Sequence, residues 1–223
     1  MIAVRGIGWL AAARYGSVAR GLQEAFPAGE GPAVLAKTGV VPTPYRNFGR
    51  LDPLSRNTIA AVALALGDAG LTGRPGETQA TGIVGAARDG SLAADVAYFR
   101  DYLENGRTLG RGNLFIYTLP TSPLGEAAIQ FGLTGPLLYA AGAGAPLGSA
   151  LELAAELVAG GEAPRMLAGE AGADAALYLL VDRTGPGGAL CSLAEARAIV
   201  EPGDGVAAVA ARFSALLTRK GAL

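Results

Sequence analysis

Attack on a carbonyl carbon needs a nucleophile and a proton acceptor side by side, and this 223-residue sequence is short of both. It holds no histidine and one cysteine, Cys191. With no imidazole to take its proton, Cys191 reads as an ordinary structural thiol. Zinc sites built from His and Cys are excluded. Carboxylates alone would favour Mg²⁺ or Ca²⁺, and no ligand-rich loop appears, so no metal is expected. The patterns G-x-x-x-x-G-K-[ST], G-x-S-x-G and S-x-x-K are absent. Gly6, Gly8 and Ala11 imitate the dinucleotide fingerprint G-x-G-x-x-A, but no helix starts at those glycines and no acidic residue closes a second strand. A tight turn after an opening strand is the simpler reading, and no cofactor is expected.

One stretch has the layout of a site. From Gly135 to Gly161 the chain reads as a short buried strand (Leu137 to Ala141), a turn of Gly142, Ala143, Gly144 and Ala145, and a helix opened by Pro146. Leu147, Leu151, Ala154, Leu157 and Val158 recur at helical spacing. The strand is too short and apolar for an exposed edge. A strand-to-helix elbow aims several backbone N–H groups at one point, as acyl-transfer enzymes do beside a nucleophile. Here the tip carries only Gly and Ala. Ser149, one turn beyond it, suits close helix packing. Tyr117 and Tyr139 are candidates for an acyl pocket, although a Tyr beside a core strand is commonly just packed.

The surrounding elements are legible from spacing and caps. A strand over Ile2 to Gly8 is followed by a helix from Val18 to Phe26 capped by Ser17, and a Gly/Pro-rich loop surrounds a strand near Val34 to Val41. The clearest helix runs through Phe48 to Leu71, with Asp52 as N-cap, Pro53 first, Gly70 past its end and an apolar stripe of Ile59, Val62, Ala63 and Leu66. A strand near Thr81 to Ala86, a helix from Leu92 to Glu104, and a helix opened by Thr121-Ser122-Pro123 and closed at Gly132 lead into the elbow. Strands near Arg165 to Gly169 and Ala175 to Val181 follow it. Ser192 and Glu195 suit a capping box, while Ala194 to Val200 would also serve as an edge strand, and Val206 to Leu217 is a helix. Strands alternating with helices predict a layered α/β domain.

The wording of these segments resembles the N-terminal half of a β-ketoacyl synthase, of the thiolase-like fold. The family's elbow, G-P-S-x-x-V-x-T-A-C-S-S, lies over Gly135 to Pro146, with Gly135, Pro136 and Ala143 matching and Gly144 in place of the nucleophilic Cys. Asp52 and the run Asp68-Ala69-Gly70-Leu71 match its R-x-D-R…D-A-G-L helix, and Met166 to Gly169 match D-x-M-L-A-G-G-A-E. The resemblance is strongest over residues 1–182 of a single domain, with 188–223 as a C-terminal extension. It implies a mixed five-stranded sheet layered with helices, no catalytic residue, an elbow or acyl pocket of Gly142, Ala143, Gly144, Ala145 and Tyr117, and a dimer contact through Leu137, Leu138, Tyr139 and Ala140. The implied role is a chain-length-factor-like subunit beside an active ketosynthase, or paired with itself, in fatty acid, polyketide or aryl-polyene synthesis. Backbone N–H groups at Gly144 and Ala145 would still suit weak malonyl decarboxylation.

Composition sets the outer bounds. A chain 51% hydrophobic and only 17% charged buries a large core or covers apolar surface with a partner, so an oligomer is expected. A formal charge of −1 gives no electrostatic case for nucleic acid or an anionic membrane. Arg5 interrupts what would be a signal peptide's apolar region, and no apolar run reaches membrane-spanning length, so a cytoplasmic protein is expected. Arg46, Arg50 and Arg56 offer a different reading, an acyl-binding module docking an acidic acyl carrier protein.

Overall fold

The computed structural model describes residues 1–221 other than 29, 33–34, 36–39, 42–47, 72–75, 108–109, 142–143, 184–187 and 201–202. Eight strands form one mixed sheet. They are β1 (Ile2–Ala11), β2 (Arg14–Ser17), β3 (Leu22–Ala25), β4 (Thr81–Ala86), β5 (Leu137–Ala140), β6 (Arg165–Ala171), β7 (Ala175–Arg183) and β8 (Cys191–Ser192). Their order is β3-β2-β1-β7-β6-β4-β5, with β8 beside β1. The pairs β5/β4 and β4/β6 are parallel, and the others antiparallel. Eight strands replace the five expected, because the hairpin β2–β3 and the short β8 extend the sheet beyond β1.

Side chains alternate between two cores, as the two-residue strand repeat requires. Val84, Met166, Ala168, Leu177, Leu179 and Val181 point to one face, where α5 (Pro146–Gly160), α6 (Leu193–Ile199) and α7 (Val206–Arg219) cover them. Ile83, Leu167, Tyr178 and Leu180 point to the other, under α1 (Pro53–Asp68) and α4 (Ser122–Phe131). Two further helices, α2 (Leu92–Glu104) and the short α3 (Gly112–Phe115), follow β4. Among the described residues no helix is long and apolar enough to cross a membrane.

Helix α1 opens as expected, with Asp52 accepting the Ser55 N–H at 2.9 Å and Pro53 in the first turn. Instead of one apolar stripe, every residue from Asn57 to Gly67 is buried. Such burial needs close approach to the sheet, which Gly6 and Gly8 of β1 provide. A Cβ on Gly8 would lie 2.3 Å from both the Ala61 carbonyl and the Ala65 nitrogen. The imitation fingerprint is therefore a packing device inside a strand that runs on to Ala11, neither a phosphate loop nor a turn.

The helix expected over Val18 to Phe26 is absent, and β3 takes its place. The Asp68 carboxylate at the end of α1 accepts the N–H groups of Ala19 and Arg20 at 3.0 Å each, and that of Ile7 at 2.9 Å. These bonds, with Gly21 at a φ of 59°, hold residues 18–21 in a turn, so the chain reverses. Tyr15 then packs on Phe26 with ring centroids 5.0 Å apart. The strand expected over 34–41 falls mostly outside the described residues.

Near the C-terminus the capping box prevails over an edge strand. Ser192 Oγ accepts the Glu195 N–H, and Glu195 accepts the Ser192 N–H at 2.9 Å. The Lys220 ammonium beside it, together with Ser192, holds the Glu195 carboxyl down at about 2. We predict that Gly8→Ala lowers the unfolding free energy by about 1–3 kcal/mol, read from denaturant midpoints. Strand propensity alone favours Ala over Gly, so a neutral or stabilised variant would contradict the close approach.

Candidate functional site

Parallel strands β5, β4 and β6 end together: Ala86 of β4 is in register with Ala140 on one side and Glu170 on the other. The carboxyl ends of parallel strands are where ligand sites form in α/β sheets. Past Ala140 the chain turns into α5. Gly142 and Ala143 lie outside the described residues. Gly144 is exposed, and a Cβ built on it meets nothing within 4 Å. Ala145 is extended (φ −93°, ψ 101°) and Pro146 opens the helix, as its lack of an N–H favours. Ser149 is exposed, so its expected packing role does not hold.

The N–H groups at the start of α5 are the donors that the elbow geometry offers. One of them is spoken for: Leu147 N–H donates to Glu170 Oε2 at 3.2 Å. Glu170 was not singled out from the sequence, yet the signal is there, since the matching family motif D-x-M-L-A-G-G-A-E has glycine at that position. Its surroundings decide its proton affinity. Burial pushes the carboxyl up from its ordinary value, while the Leu147 N–H and the nearby Arg88 pull it down.

Two cavities meet at this end of the sheet, sharing Ala87, Arg88, Ala171 and Gly172. The smaller, about 260 Å³, is bounded by Ala145, Leu147, Glu170, Val200 and Val206. The larger, about 580 Å³, is walled by Leu54, Ala94, Ala97, Leu114 and Tyr117, with Arg50 at its margin. Tyr117 and the elbow residue Ala145 thus line different cavities joined at Arg88. Tyr139 lines neither; its hydroxyl donates to the Ala87 carbonyl at 3.3 Å. Burial raises the proton affinity of both tyrosines above the ordinary phenol value.

Strand β5 corrects another expectation. Among the described strands it is an edge, paired with β4 alone, and Leu137 is 38% exposed. Leu138, Tyr139 and Ala140 are half-buried. Of the arginines near α1, Arg46 lies outside the described residues, and Arg56 donates to the Phe48 and Gly49 carbonyls at 3.2 and 2.8 Å. Cys191 is buried, and burial pushes its thiol up to about 12, as suits an inert side chain. Among the described residues no group of three or more His, Cys, Asp or Glu is placed to hold a metal ion.

No family model and no curated protein matches the sequence. Solved structures do. The ishigamide ketosynthase/chain length factor is 17% identical at a TM-score of 0.60, over 84% of this chain and 63% of that one. The fold is that of the ketosynthases. A β-ketoacyl synthase from Burkholderia phymatum STM815 is 16% identical at a TM-score of 0.59, over 82% of this chain and 59% of that one. A type II PKS acyl-carrier protein in complex with its ketosynthase, bound to the hexaketide, gives 13% and 0.57, over 81% of this chain and 57% of that one. The chain spans about three fifths of the length of the ketosynthase-fold chains it matches.

A carboxyl raised in the folded state favours folding at low pH, and that contribution is lost as pH climbs from its unfolded to its folded pKa. We predict that Glu170→Gln, which keeps an acceptor for Leu147 N–H, leaves stability at pH 7 equal or higher than in the parent protein. The difference should shrink toward pH 4 in thermal melts. A variant clearly less stable at pH 7 would show instead that the charged form is net favourable there.

Proposed function

We propose that this chain is a non-catalytic ketosynthase-like subunit, similar to a chain length factor, that pairs with an active ketosynthase in fatty acid, polyketide or aryl-polyene synthesis. The elbow carries the reading. Exposed Gly144 stands where the resembling family has its Cys, in a sequence with no histidine at all. A glycine cannot hold a thioester, and no imidazole can move the proton. In this reading residues 1–223 are one ketosynthase-like domain, and the larger cavity, walled by Tyr117, receives the acyl chain.

Pairing is supported by the open outer edge of β5, where Leu137, Leu138, Tyr139 and Ala140 form the contact element. The partner is a ketosynthase subunit or a second copy, and the acyl carrier protein is a further partner. The similar ketosynthase/chain length factor and the ketosynthase in complex with its carrier protein give these choices their basis. Decarboxylation at the elbow is disfavoured on charge, because the Glu170 carboxyl at the start of α5 would face an incoming malonyl carboxylate.

A second reading is a stand-alone acyl-binding module, favoured by an apolar cavity of about 580 Å³ within one chain. Co-purification with a ketosynthase supports the first reading; capture of carrier protein alone supports the second. Leu138→Asp or Tyr139→Asp should abolish sedimentation as a complex with the ketosynthase while far-ultraviolet circular dichroism is retained. Complexes of unchanged mass would count against the β5 contact.

A further inference from the structure

Helix α2 is amphipathic the wrong way round. Its large apolar side chains Leu92, Val96, Phe99 and Leu103 are 57, 48, 60 and 42% exposed, while Tyr98 and Asp101 face the body of the protein. Tyr98 packs on Phe115 and Asp101 pairs with Arg111 at 2.9 Å, so the inward face is fixed by specific contacts. The outward residues are spaced four, three and four apart, the alternation of d and a positions in a heptad. Val96 and Leu103 take the a positions, Leu92 and Phe99 the d positions. Such a seam leaves a continuous apolar strip in water, which a folded protein ordinarily covers.

The charges beside the strip say what fits it. Asp95 takes a g position and Arg100 the e position of the next heptad. When two parallel helices pack in register, a g residue faces the e residue five positions on in its neighbour. Asp95 of one copy then faces Arg100 of the other, and two-fold symmetry makes the pair twice. In an antiparallel pairing g faces g, and Asp95 would meet no cation. Asp95 accepts Ser91 Oγ through Oδ2 alone, and Arg100 makes no ion pair with any described residue, so both have capacity for the contact.

We infer that α2 is a self-association face, on which a second copy of this chain packs its own α2 in parallel and in register through Leu92, Val96, Phe99 and Leu103. This contact uses a different element from β5, although Gly90, just before α2, lies beside the Tyr139 hydroxyl, and it needs no ketosynthase. It stands or falls independently of the proposed function. With under two heptads the seam does not form a free coiled coil, and it depends on both helices being held by their folded bodies.

The test uses the full chain alone in sedimentation equilibrium over a concentration series. Phe99→Asp should weaken the dimer by at least about tenfold. Asp95→Arg and Arg100→Asp should each weaken it roughly fivefold, and the two together should restore it, because the pair is re-formed with its signs exchanged. Leu103→Cys should give disulfide-linked dimers under mild oxidation, since equal a positions meet only in the parallel arrangement and Cys191 is buried. A parent protein that stays monomeric, a double reversal weaker than either single one, or cross-linking only when Leu92→Cys is mixed with Leu103→Cys would overturn the inference.

Discussion

The contact on which the rest of this structure depends is the close approach of α1 to β1. A helix buried from Asn57 to Gly67 has no solvent face, so its position cannot be set by amphipathicity. It is set by the absence of side chains at Gly6 and Gly8 and by polar groups at its ends. Asp52 caps the start. Asn57 donates to the Gly172 and Ala173 carbonyls at 2.8 Å each, tying the helix to the turn after β6. Asp68 gathers three N–H groups of the β1 and β2–β3 segments. With both ends fixed, the far side of the sheet is a rigid platform under the strand ends where the two cavities meet.

The chain shares the ketosynthase fold, and a Cβ at Gly144 would meet open space. Glu170 and Arg88 supply charged groups at this end of the sheet. A carboxylate at the first free N–H of the elbow helix satisfies one of the unpaired donors that every helix start presents. The same residue brings a half-buried carboxyl, with its proton affinity raised by burial, to the start of α5.

Much of the fold was legible because local signals agreed with tertiary demands. Asp52-Pro53, Gly132 past the end of α4, Pro146 and the Ser192/Glu195 box all act where spacing placed them, while Thr121 starts its helix without a side-chain cap bond. The misreadings share a cause: residues serving a distant partner. Ser17 looks like a helix cap until Asp68, 49 residues from Ala19, claims the turn behind it. Gly6 and Gly8 look like a phosphate loop until α1 covers them. The edge character of β5 is invisible locally, because an apolar strand reads alike whether its second neighbour is in the same chain or another. Of the site, the elbow could be located from Gly135-Pro136 and Pro146, whereas the sequence marks Glu170 only as a departure from the family's glycine and the parallel register of β4 and β6 brings it to the elbow.

Strand β5 is four residues long, and that brevity has a consequence of its own. An unpaired strand border is a template for whatever extended chain arrives first, and long flat ones seed open-ended stacking. Four residues present too few outward backbone groups to recruit an indefinite succession of strands. A border of this size suits one saturable docking event: once filled it is spent, and growth by strand addition at this edge stops.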